Sequence, residues 1–386
     1  MSKKPFIPFS KPLITEETID EVVDSLRSGW ITTGPKVSEF EKQICGYTGA
    51  SYAAATFSCT SAMHLALTVL GIKAGDEVIV PTFTFTSTAQ VVVQCGAKPV
   101  FVDITEDSFS IDINEVRKKI TSRTKAIIPV HYGGNPVDMD QIFLLAKKHN
   151  IKIVEDAAHA IGSSYNGKKI GNLESDATCF SFYATKNLST AEGGMVVTNS
   201  KSLADNVKKL AIYGISDSRE IWNSRYNKHG SWFYDVEMVG FKANMTDISA
   251  AMGLHQLLHL DESNNTRHDY AKFYKNTIMH KGIEFMKVDE NDTCAWHLFP
   301  MLLPKNIDRD RFIEAMNKNN IGTSVLFRPL HLHTAYRKLL GTKAGDFPNS
   351  ENIFNRLVNL PISPSISKTD VKYIAQTIKN TLTVND

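Results

Sequence analysis

Lys186 is the single lysine of the segment SFYATKNLSTAEGG, which spans residues 181–194, and it closely follows the apolar run TCFSFY. We predict that this run is a buried strand, and that the lysine lies at the strand end, where ligands of open α/β sheets bind. A lysine that loses water there has a lowered pKa, so its amine can act as a nucleophile. Taken alone, the pattern is more typical of a surface lysine at a turn.

A carboxylate ends a second apolar run. The segment IKIVEDAAHA predicts a strand that finishes in Glu155 and Asp156. An aspartate at a buried strand end can pair with a protonated pyridine nitrogen, and this pairing makes the ring of pyridoxal phosphate an electron sink. A helix cap or a solvated turn is the commoner role of a lone aspartate.

Two further strand ends suit a flat ligand that carries a phosphate. In FSCTSAMHLAL, a strand leads through Ser58, Thr60 and Ser61 into a helix whose free amides can bind an anion. In PTFTFTSTAQ, Phe83 and Phe85 follow another strand and can stack on a ring. Taken alone, the hydroxyl residues of the first motif are more typical of a helix cap, and the phenylalanines of the second are more typical of core packing. Together with the lysine and the aspartate, these groups predict a pyridoxal-phosphate site, because the conjunction is far more specific than any one member.

The elements that must position these residues alternate along the chain. Short β-rich runs (YAAATF, DEVIVP, KPVFVD, KAIIPVH, IKIVED, TCFSFY and GMVVTN) are separated by helix-like segments such as SAMHLALTVLG and MDQIFLLAKKHN. We predict an α/β domain with a mostly parallel sheet. The C-terminal part has the pattern of a smaller α+β domain. We place the large domain at 1–255, with its N-terminal helices included, and the small domain at 256–386.

Helices are also predicted outside this alternation. The segment TEETIDEVVDSLRSG predicts a first helix that Thr15 caps and Gly29 ends. Its apolar residues share one face: Ile19, Val22, Val23 and Leu26. A second helix is predicted over 37–47. A long helical stretch, TDISAAMGLHQLLHLDESNNTRHDYAKFY, is expected to link the two domains, and the polar and aromatic segment 215–235 is expected to be a functional loop.

Composition excludes several classes of protein. The 386 residues are 42% hydrophobic and 22% charged with a net charge of +2, so we expect neither a nucleic-acid partner nor a membrane partner. The N-terminus MSKKPFIPFSKPL lacks the apolar core of a signal peptide, and the apolar stretches are too short to span a bilayer. The five cysteines are odd in number and lack CxxC spacing, which predicts no disulfide framework, no metal site and a cytoplasmic location.

The sequence resembles the DegT/DnrJ/StrS family of nucleotide-sugar aminotransferases over nearly its whole length. The resemblance is carried by SGWITTGPKVSEFE, GDEVIVPTFTF, PVHYGG, EDAAHAIGSSYNGKKIG, SFYATKNLSTAEGGMVVT, GFKANMTDISAAMG and NIGTSVLFRPLH. It implies pyridoxal 5'-phosphate as the cofactor. It also implies the type I fold of aspartate aminotransferase, in which a large domain with a mostly parallel mixed sheet carries a smaller C-terminal α+β domain. The implied assembly is a homodimer with shared active sites.

The resemblance implies a role for each matching residue. Lys186 would bond to the cofactor and move a proton between substrate and cofactor, Asp156 would hold the pyridine nitrogen, and His159 would lie near the 3-oxygen. Thr60 and Ser61 would bind the phosphate through their turn, and Ser181 would add a hydroxyl. Phe85 would stack on the cofactor ring, and Asn244 would reach the phosphate from a neighbouring subunit. A core histidine is the alternative for His159, and a helix cap is the alternative for Asn244.

A few positions depart from the residues that are usual in the family. Tyr183 stands where histidine is common, Phe57 stands where serine is usual, and Ser61 replaces a more frequent alanine. None of these changes removes an essential group, although Tyr183 is expected to alter the pocket near Lys186. One branch of the family has histidine in place of the lysine and performs dehydration, and Lys186 argues against that branch.

The implied reaction moves an amino group from L-glutamate, which leaves as 2-oxoglutarate, to a nucleotide-linked keto sugar. The segments EDAAHA, AEGG and IGTSVLFRPLH are most similar to members that act at C4 of UDP-sugars, such as the 4-amino-4-deoxy-L-arabinose aminotransferase, whose products enter surface polysaccharides or lipid A. Amination at C3, or of a dTDP- or GDP-sugar, is an alternative. A non-catalytic sensor that binds the cofactor is the alternative from another class. We expect substrate choice to depend on the loop 215–236 and on the WITTGP segment.

Overall fold

The computed structural model describes residues 4–216 and 234–383. Residues 217–233, which make up most of the loop predicted to choose the substrate, lie outside the described residues.

The strands of the first part of the chain follow the predicted apolar runs. They are β1 Tyr52–Thr56, β2 Glu77–Pro81, β3 Lys98–Val102, β4 Thr124–Ile127, β5 Lys152–Asp156, a short hairpin of β6 Ser164–Tyr165 and β7 Lys168–Lys169, then β8 Ala177–Ser181 and β9 Gly194–Thr198. Among the described residues, seven of these strands form one sheet in the order β1-β9-β8-β5-β4-β2-β3. β9 is antiparallel to both of its neighbours, and the other adjacent strands pair in parallel. The predicted mostly parallel mixed sheet is therefore confirmed.

Helices cover both faces of this sheet. They are α1 Glu16–Ser28, α2 Pro35–Thr48, α3 Cys59–Val69, α4 Ser87–Gln94, α5 Ile113–Lys119, α6 Met139–His149, α7 Lys201–Leu210 and α8 Asp247–Leu258. One face packs against residues of α2 and α6 such as Phe40 and Ile142. The opposite face packs against residues of α3 and α7 such as Leu65 and Val207. This double cover follows from the crossover connections that parallel strands require.

The first helix has the predicted ends but a different buried face. The hydroxyl of Thr15 accepts a hydrogen bond from the Thr18 amide, and Gly29 ends the helix with a φ of 80°. The residues that α1 buries against the protein are Thr18 and Ser25. Ile19 and Leu26, which belong to the predicted apolar face, are 43% and 54% exposed in the single chain. The predicted apolar face exists, but the described chain leaves these two side chains about half exposed.

The long helical stretch after residue 246 is two helices. Helix α8 ends at Leu258, and α9 Leu260–Thr277 begins after His259, whose φ of −102° and ψ of 5° depart from helical values. The residues on either side of His259 are compatible with a helix, so the sequence does not show this break. The predicted long helical stretch is therefore present as two consecutive helices.

The C-terminal part forms a separate hydrophobic core around a small sheet. The described strands β10 Glu284–Phe285, β11 Phe299–Leu302 and β12 Leu357–Leu360 are antiparallel, and four further helices are α10 Arg309–Lys318, α11 Thr334–Leu340, α12 Pro348–Arg356 and α13 Lys368–Thr383. This is the predicted smaller α+β part. The N-terminus contacts it as well, since the amide of Ile7 donates to the carbonyl of Asn320 over 2.8 Å. The boundary between 255 and 256 stays a prediction. Within 4–216 and 234–383, no helix combines the length and the apolar character needed to cross a bilayer.

Candidate active site

A cavity of about 470 Å³ opens where the parallel strands end, and it brings most of the predicted site residues together. Its lining includes six of them: Thr60, Phe85, Asp156, His159, Ser181 and Lys186. They come from the ends of β5 and β8, from the turns that follow β2, β5 and β8, and from the first turn of α3, which follows β1. Because the carboxyl ends of parallel strands meet at one edge of a sheet, residues far apart in sequence converge there. Ser61 and Asn244 do not line this cavity.

Lys186 is held by a tight turn that follows β8. The Lys186 amide donates to the carbonyl of Tyr183 over 2.8 Å, and the Thr190 amide donates to the carbonyl of Phe182 over 2.8 Å. Burial lowers the pKa of the Lys186 ammonium from 10.5 to about 8, and the nearby charge of Asp156 acts in the opposite direction. A substantial fraction of this lysine is therefore a neutral amine near physiological pH, which is the form that attacks carbonyl carbons.

The Asp156 carboxylate is buried at the end of β5, with 4% of the residue exposed. One of its oxygens accepts a hydrogen bond from the Thr88 hydroxyl over 2.7 Å, and the other accepts from the Ala158 amide over 3.2 Å. Burial raises the pKa of Asp156, while these hydrogen bonds and the Lys186 charge lower it. The carboxylate is thus fixed in direction and lies in a site where its charge acts at close range.

His159 is a neutral imidazole with a defined tautomer. Its Nδ1 accepts a hydrogen bond from the Gly133 amide over 3.2 Å, so the proton is on Nε2. Burial lowers the pKa of His159 well below its ordinary value, and the Lys186 charge lowers it further. The ring stacks on Phe327 with centroids 5.8 Å apart. The glycines of PVHYGG let this segment lie close to His159, because a Cβ on Gly134 would lie 2.9 Å from the His159 carbonyl oxygen.

The turn before α3 has the features of an anion site. The Ser58 hydroxyl caps the helix by accepting from the Ser61 amide over 3.1 Å, which leaves the Cys59 and Thr60 amides without an intrahelical partner. The Ser61 hydroxyl lies 3.0 Å from that of Ser58, so it belongs to the cap. The Gly-Gly pair after Lys186 allows the start of β9 to pack directly against this turn, because a Cβ on Gly194 would lie 2.2 Å from the Ser58 carbonyl carbon.

Aromatic rings form another wall of the cavity. Phe85, which is 55% exposed, lies 5.7 Å from Phe327 between ring centroids, and Tyr183 also lines the cavity. An exposed ring at a cavity wall is available to stack on a planar ligand. The other predicted aromatic, Phe83, is fully buried and packs against Tyr132 and Phe109.

The sequence of this chain settles its family. A sequence profile of the DegT/DnrJ/EryC1/StrS aminotransferases matches residues 12–379. The chain belongs to this family. It is 44% identical to the spore coat polysaccharide biosynthesis protein SpsC of Bacillus subtilis, over 97% of both chains.

Solved structures of the family agree with this fold. The putative sugar aminotransferase Spr1654 of Streptococcus pneumoniae in its PMP-form matches with a TM-score of 0.92 and 35% identity, over 98% of this chain and 100% of that one, and its PLP-form has also been solved. Helicobacter pylori PseC, an aminotransferase involved in the biosynthesis of pseudoaminic acid, matches with a TM-score of 0.89 and 28% identity, over 99% of this chain and 100% of that one. The protein is a sugar aminotransferase that depends on pyridoxal phosphate, and the alternative of a non-catalytic sensor is set aside.

The residues of this aminotransferase fit its cofactor. A buried, hydrogen-bonded carboxylate at Asp156 suits a protonated pyridine nitrogen, and the free first-turn amides of α3 suit a phosphate. Lys186 provides an amine whose pKa is already lowered to about 8. Since these three groups line one cavity, they can engage one molecule at the same time.

Asn244 lies outside the cavity of its own chain. Its side-chain amide donates to the hydroxyl of Thr33 over 2.6 Å, and its carbonyl oxygen accepts from the Lys242 ammonium. The alternative that Asn244 caps α8 is wrong, because the cap is Thr246, whose hydroxyl accepts from the Ser249 amide over 3.2 Å. The implied contact with a neighbouring subunit stays a prediction.

Sequence reasoning missed several residues of the aminotransferase site. His297 and Phe327 line the cavity, and Thr88 bonds to Asp156. His297 lies in the segment WHLFPMLLP, and its polar ring beside an apolar run was the available signal. Glu192, in the AEGG motif, lines the cavity too.

Proposed function

We propose that this aminotransferase moves the amino group of L-glutamate to C4 of a UDP-linked 4-keto sugar. The observation that carries the transfer is the placement of Lys186, Asp156 and the neutral His159 in one cavity. Pyridoxal phosphate supplies the electron sink when it is bound. Lys186 provides the amine and carries the proton, Asp156 keeps the ring nitrogen protonated, and the Nε2 proton of His159 is available to an acceptor oxygen.

The choice of a nucleotide-linked substrate rests on sequence similarity. The 44% identical relative from Bacillus subtilis bears a name from spore coat polysaccharide biosynthesis, and PseC is involved in the biosynthesis of pseudoaminic acid. The segments EDAAHA and IGTSVLFRPLH favour C4 of a UDP-sugar, with C3 or a dTDP- or GDP-sugar as the second candidate. Products of this kind would enter a surface polysaccharide or lipid A.

The cysteines support a cytoplasmic location for this reaction. All five are free thiols, at Cys45, Cys59, Cys95, Cys179 and Cys294. Unpaired thiols persist in a reducing compartment, where cytosolic reductants keep them from oxidation. We therefore propose that the enzyme works in the cytoplasm, where activated sugar nucleotides would serve as its substrates.

A homodimer with shared sites is part of the same proposal. The N-terminal segment, α1 and the turn after α1 expose apolar side chains on the single chain: Leu13, Ile14, Ile19, Leu26 and Ile31. Exposed apolar groups that lie close together in a chain favour burial against a partner. A second copy would cover them in a two-fold interface, and Asn244, which lies outside its own cavity, would be available to the phosphate site of the partner.

The proposed reaction is tested with a screen of UDP-, dTDP- and GDP-linked 4-keto sugars. L-Glutamate should change the absorbance of the cofactor-loaded enzyme, and a UDP-linked 4-keto sugar should then restore the original spectrum. Restoration by a dTDP- or GDP-sugar alone would move the assignment to the second candidate. A spectrum that no keto sugar restores would contradict the proposed acceptor.

A further inference from the structure

The cavity contains a second histidine to which neither motif nor resemblance gave a role. His297 lies just before β11 and is 8% exposed, and its ring centroid lies 4.4 Å from that of His159. It lines the same cavity as Lys186. A side chain so placed can touch whatever molecule enters the cavity.

A chain of side-chain amides defines which nitrogen of His297 carries the proton. Asn264 donates from its Nδ2 to the Ile161 carbonyl over 3.2 Å, so its Oδ1 is the atom that accepts from Asn187 over 2.8 Å. The Nδ2 of Asn187 also donates to the Ala295 carbonyl over 2.8 Å. Since two acceptors surround that nitrogen, the other amide atom of Asn187 is its oxygen. That oxygen lies 3.1 Å from Nδ1 of His297, so Nδ1 must carry the proton and donate.

The other nitrogen of His297 is a free acceptor. Burial lowers the pKa of His297 well below its ordinary value, and the positive charges of Lys186 and Arg267 lower it further. The imidazole is therefore neutral, and with the proton on Nδ1 the Nε2 atom has a lone pair. No hydrogen bond to Nε2 comes from any residue of the described ranges. His159 has the opposite tautomer, because its Nδ1 accepts from the Gly133 amide.

The two histidines thus offer one donor and one acceptor to the contents of the cavity. The donor, Nε2–H of His159, suits an oxygen acceptor. The acceptor, Nε2 of His297, needs a ligand group that can donate. L-Glutamate brings two carboxylates, which only accept, and an amino group that is consumed in the reaction. A keto sugar brings hydroxyl groups on the carbons beside the one that reacts.

We infer that His297 is a specificity residue whose Nε2 accepts a hydrogen bond from a hydroxyl group of the keto-sugar substrate. The contact would orient the sugar in the second half of the reaction and would be absent in the first half. This inference rests on the proposed function for the identity of the sugar. The tautomer of His297 rests on the amide chain alone.

Two variants distinguish the roles of Nδ1 and Nε2 of His297. His297→Asn places an amide near the position of Nδ1 and can keep the bond to Asn187, but it has no group at the position of Nε2. His297→Gln reaches the position of Nε2 with an amide oxygen that can accept. The half-reactions are measured separately by stopped-flow absorbance. The rate of the glutamate half-reaction should stay within about twofold of the wild-type rate in both variants. The rate of the sugar half-reaction should fall about tenfold in His297→Asn, as expected for one lost hydrogen bond, and should recover in His297→Gln.

A binding measurement on the cofactor-free enzyme gives a readout that does not depend on turnover. The probes are UDP-sugars whose keto carbon is reduced to an alcohol, with each neighbouring hydroxyl present or replaced by hydrogen. Removal of one particular hydroxyl should weaken binding to wild type about tenfold and binding to His297→Asn less than twofold. Thermal melting of each variant shows whether the fold is kept.

The outcomes distinguish the inference from the proposed function. Equal slowing of both half-reactions in His297→Asn, or equal loss of the hydroxyl effect in His297→Gln, would overturn the inference, because His297 would then not act by accepting a sugar hydroxyl at Nε2. If wild type binds and aminates the sugar but the variants bind every probe equally well, the inference alone fails. If wild type binds none of the UDP-, dTDP- or GDP-sugars, the proposed function fails and the inference fails with it.

Discussion

The lowered pKa of Lys186 predicts that its amine is reactive at neutral pH even before cofactor binds. Burial moves the pKa from 10.5 to about 8. At pH 7.5, a pKa of about 8 leaves roughly one quarter of the lysine neutral, whereas the ordinary value leaves about one part in a thousand. The cavity should therefore raise the fraction of neutral amine by roughly two orders of magnitude at this pH.

Competitive labelling of the cofactor-free enzyme measures this directly. A trace acylating reagent is applied between pH 6 and pH 11, and the label on each lysine is quantified by mass spectrometry. The label on Lys186 should rise to half of its maximum near pH 8. Lys42, whose side chain is 81% exposed, serves as the internal reference for the reagent.

The Asp156→Asn variant gives the sign of the electrostatic contribution. The charge of Asp156 raises the pKa of Lys186, so its removal should move the midpoint of labelling below that of wild type. A wild-type midpoint near 10.5 would refute the reasoning, because it would mean that the cavity does not desolvate the ammonium. A midpoint that rises in Asp156→Asn would show that the two side chains do not interact as the structure has them.

Three further predictions follow from the site and its assembly. Asp156→Asn should slow turnover by about two orders of magnitude or more, with a smaller loss of cofactor affinity, and a rate within twofold of wild type would contradict its role. Gly194→Ala should destabilise the fold by about 1–3 kcal/mol or more and weaken cofactor binding, because its Cβ would meet the Ser58 carbonyl carbon at 2.2 Å. Gly46→Ala is the control, since nothing lies within 4 Å of that Cβ; chemical denaturation and cofactor titration compare the two variants. Leu26→Asp should place a charge in the proposed interface and yield monomers in sedimentation experiments, and an unchanged dimer would exclude α1 from the interface.

Residues at strand ends could be predicted from the sequence because two local signals coincide there. An apolar run predicts a buried strand. The polar residue that ends the strand, such as Asp156, or that follows in the next turn, such as Lys186, is then placed at the edge of the sheet. The alternation of such runs with amphipathic segments also predicts the sheet, since parallel strands need helical crossovers.

Contacts between distant segments could not be predicted in the same way. The hydroxyl of Thr88 reaches Asp156 across 68 positions of sequence, and His297 reaches Asn187 across 110. No local pattern distinguishes such a threonine or histidine from one that is merely buried. The exposed face of α1 was unpredictable for a related reason, because periodicity shows which residues of a helix share a face but not what covers that face.

The transfer of nitrogen itself tests the central claim most directly. Wild-type enzyme is loaded with pyridoxal phosphate and given L-glutamate labelled with ¹⁵N together with a UDP-linked 4-keto sugar, and the product is examined by NMR. We predict that ¹⁵N appears on C4 of the sugar with wild type and that Lys186→Ala, which lacks the amine, forms no labelled product. Label at another carbon would correct the position of transfer. Labelled product from Lys186→Ala at the wild-type rate would contradict the account of the site.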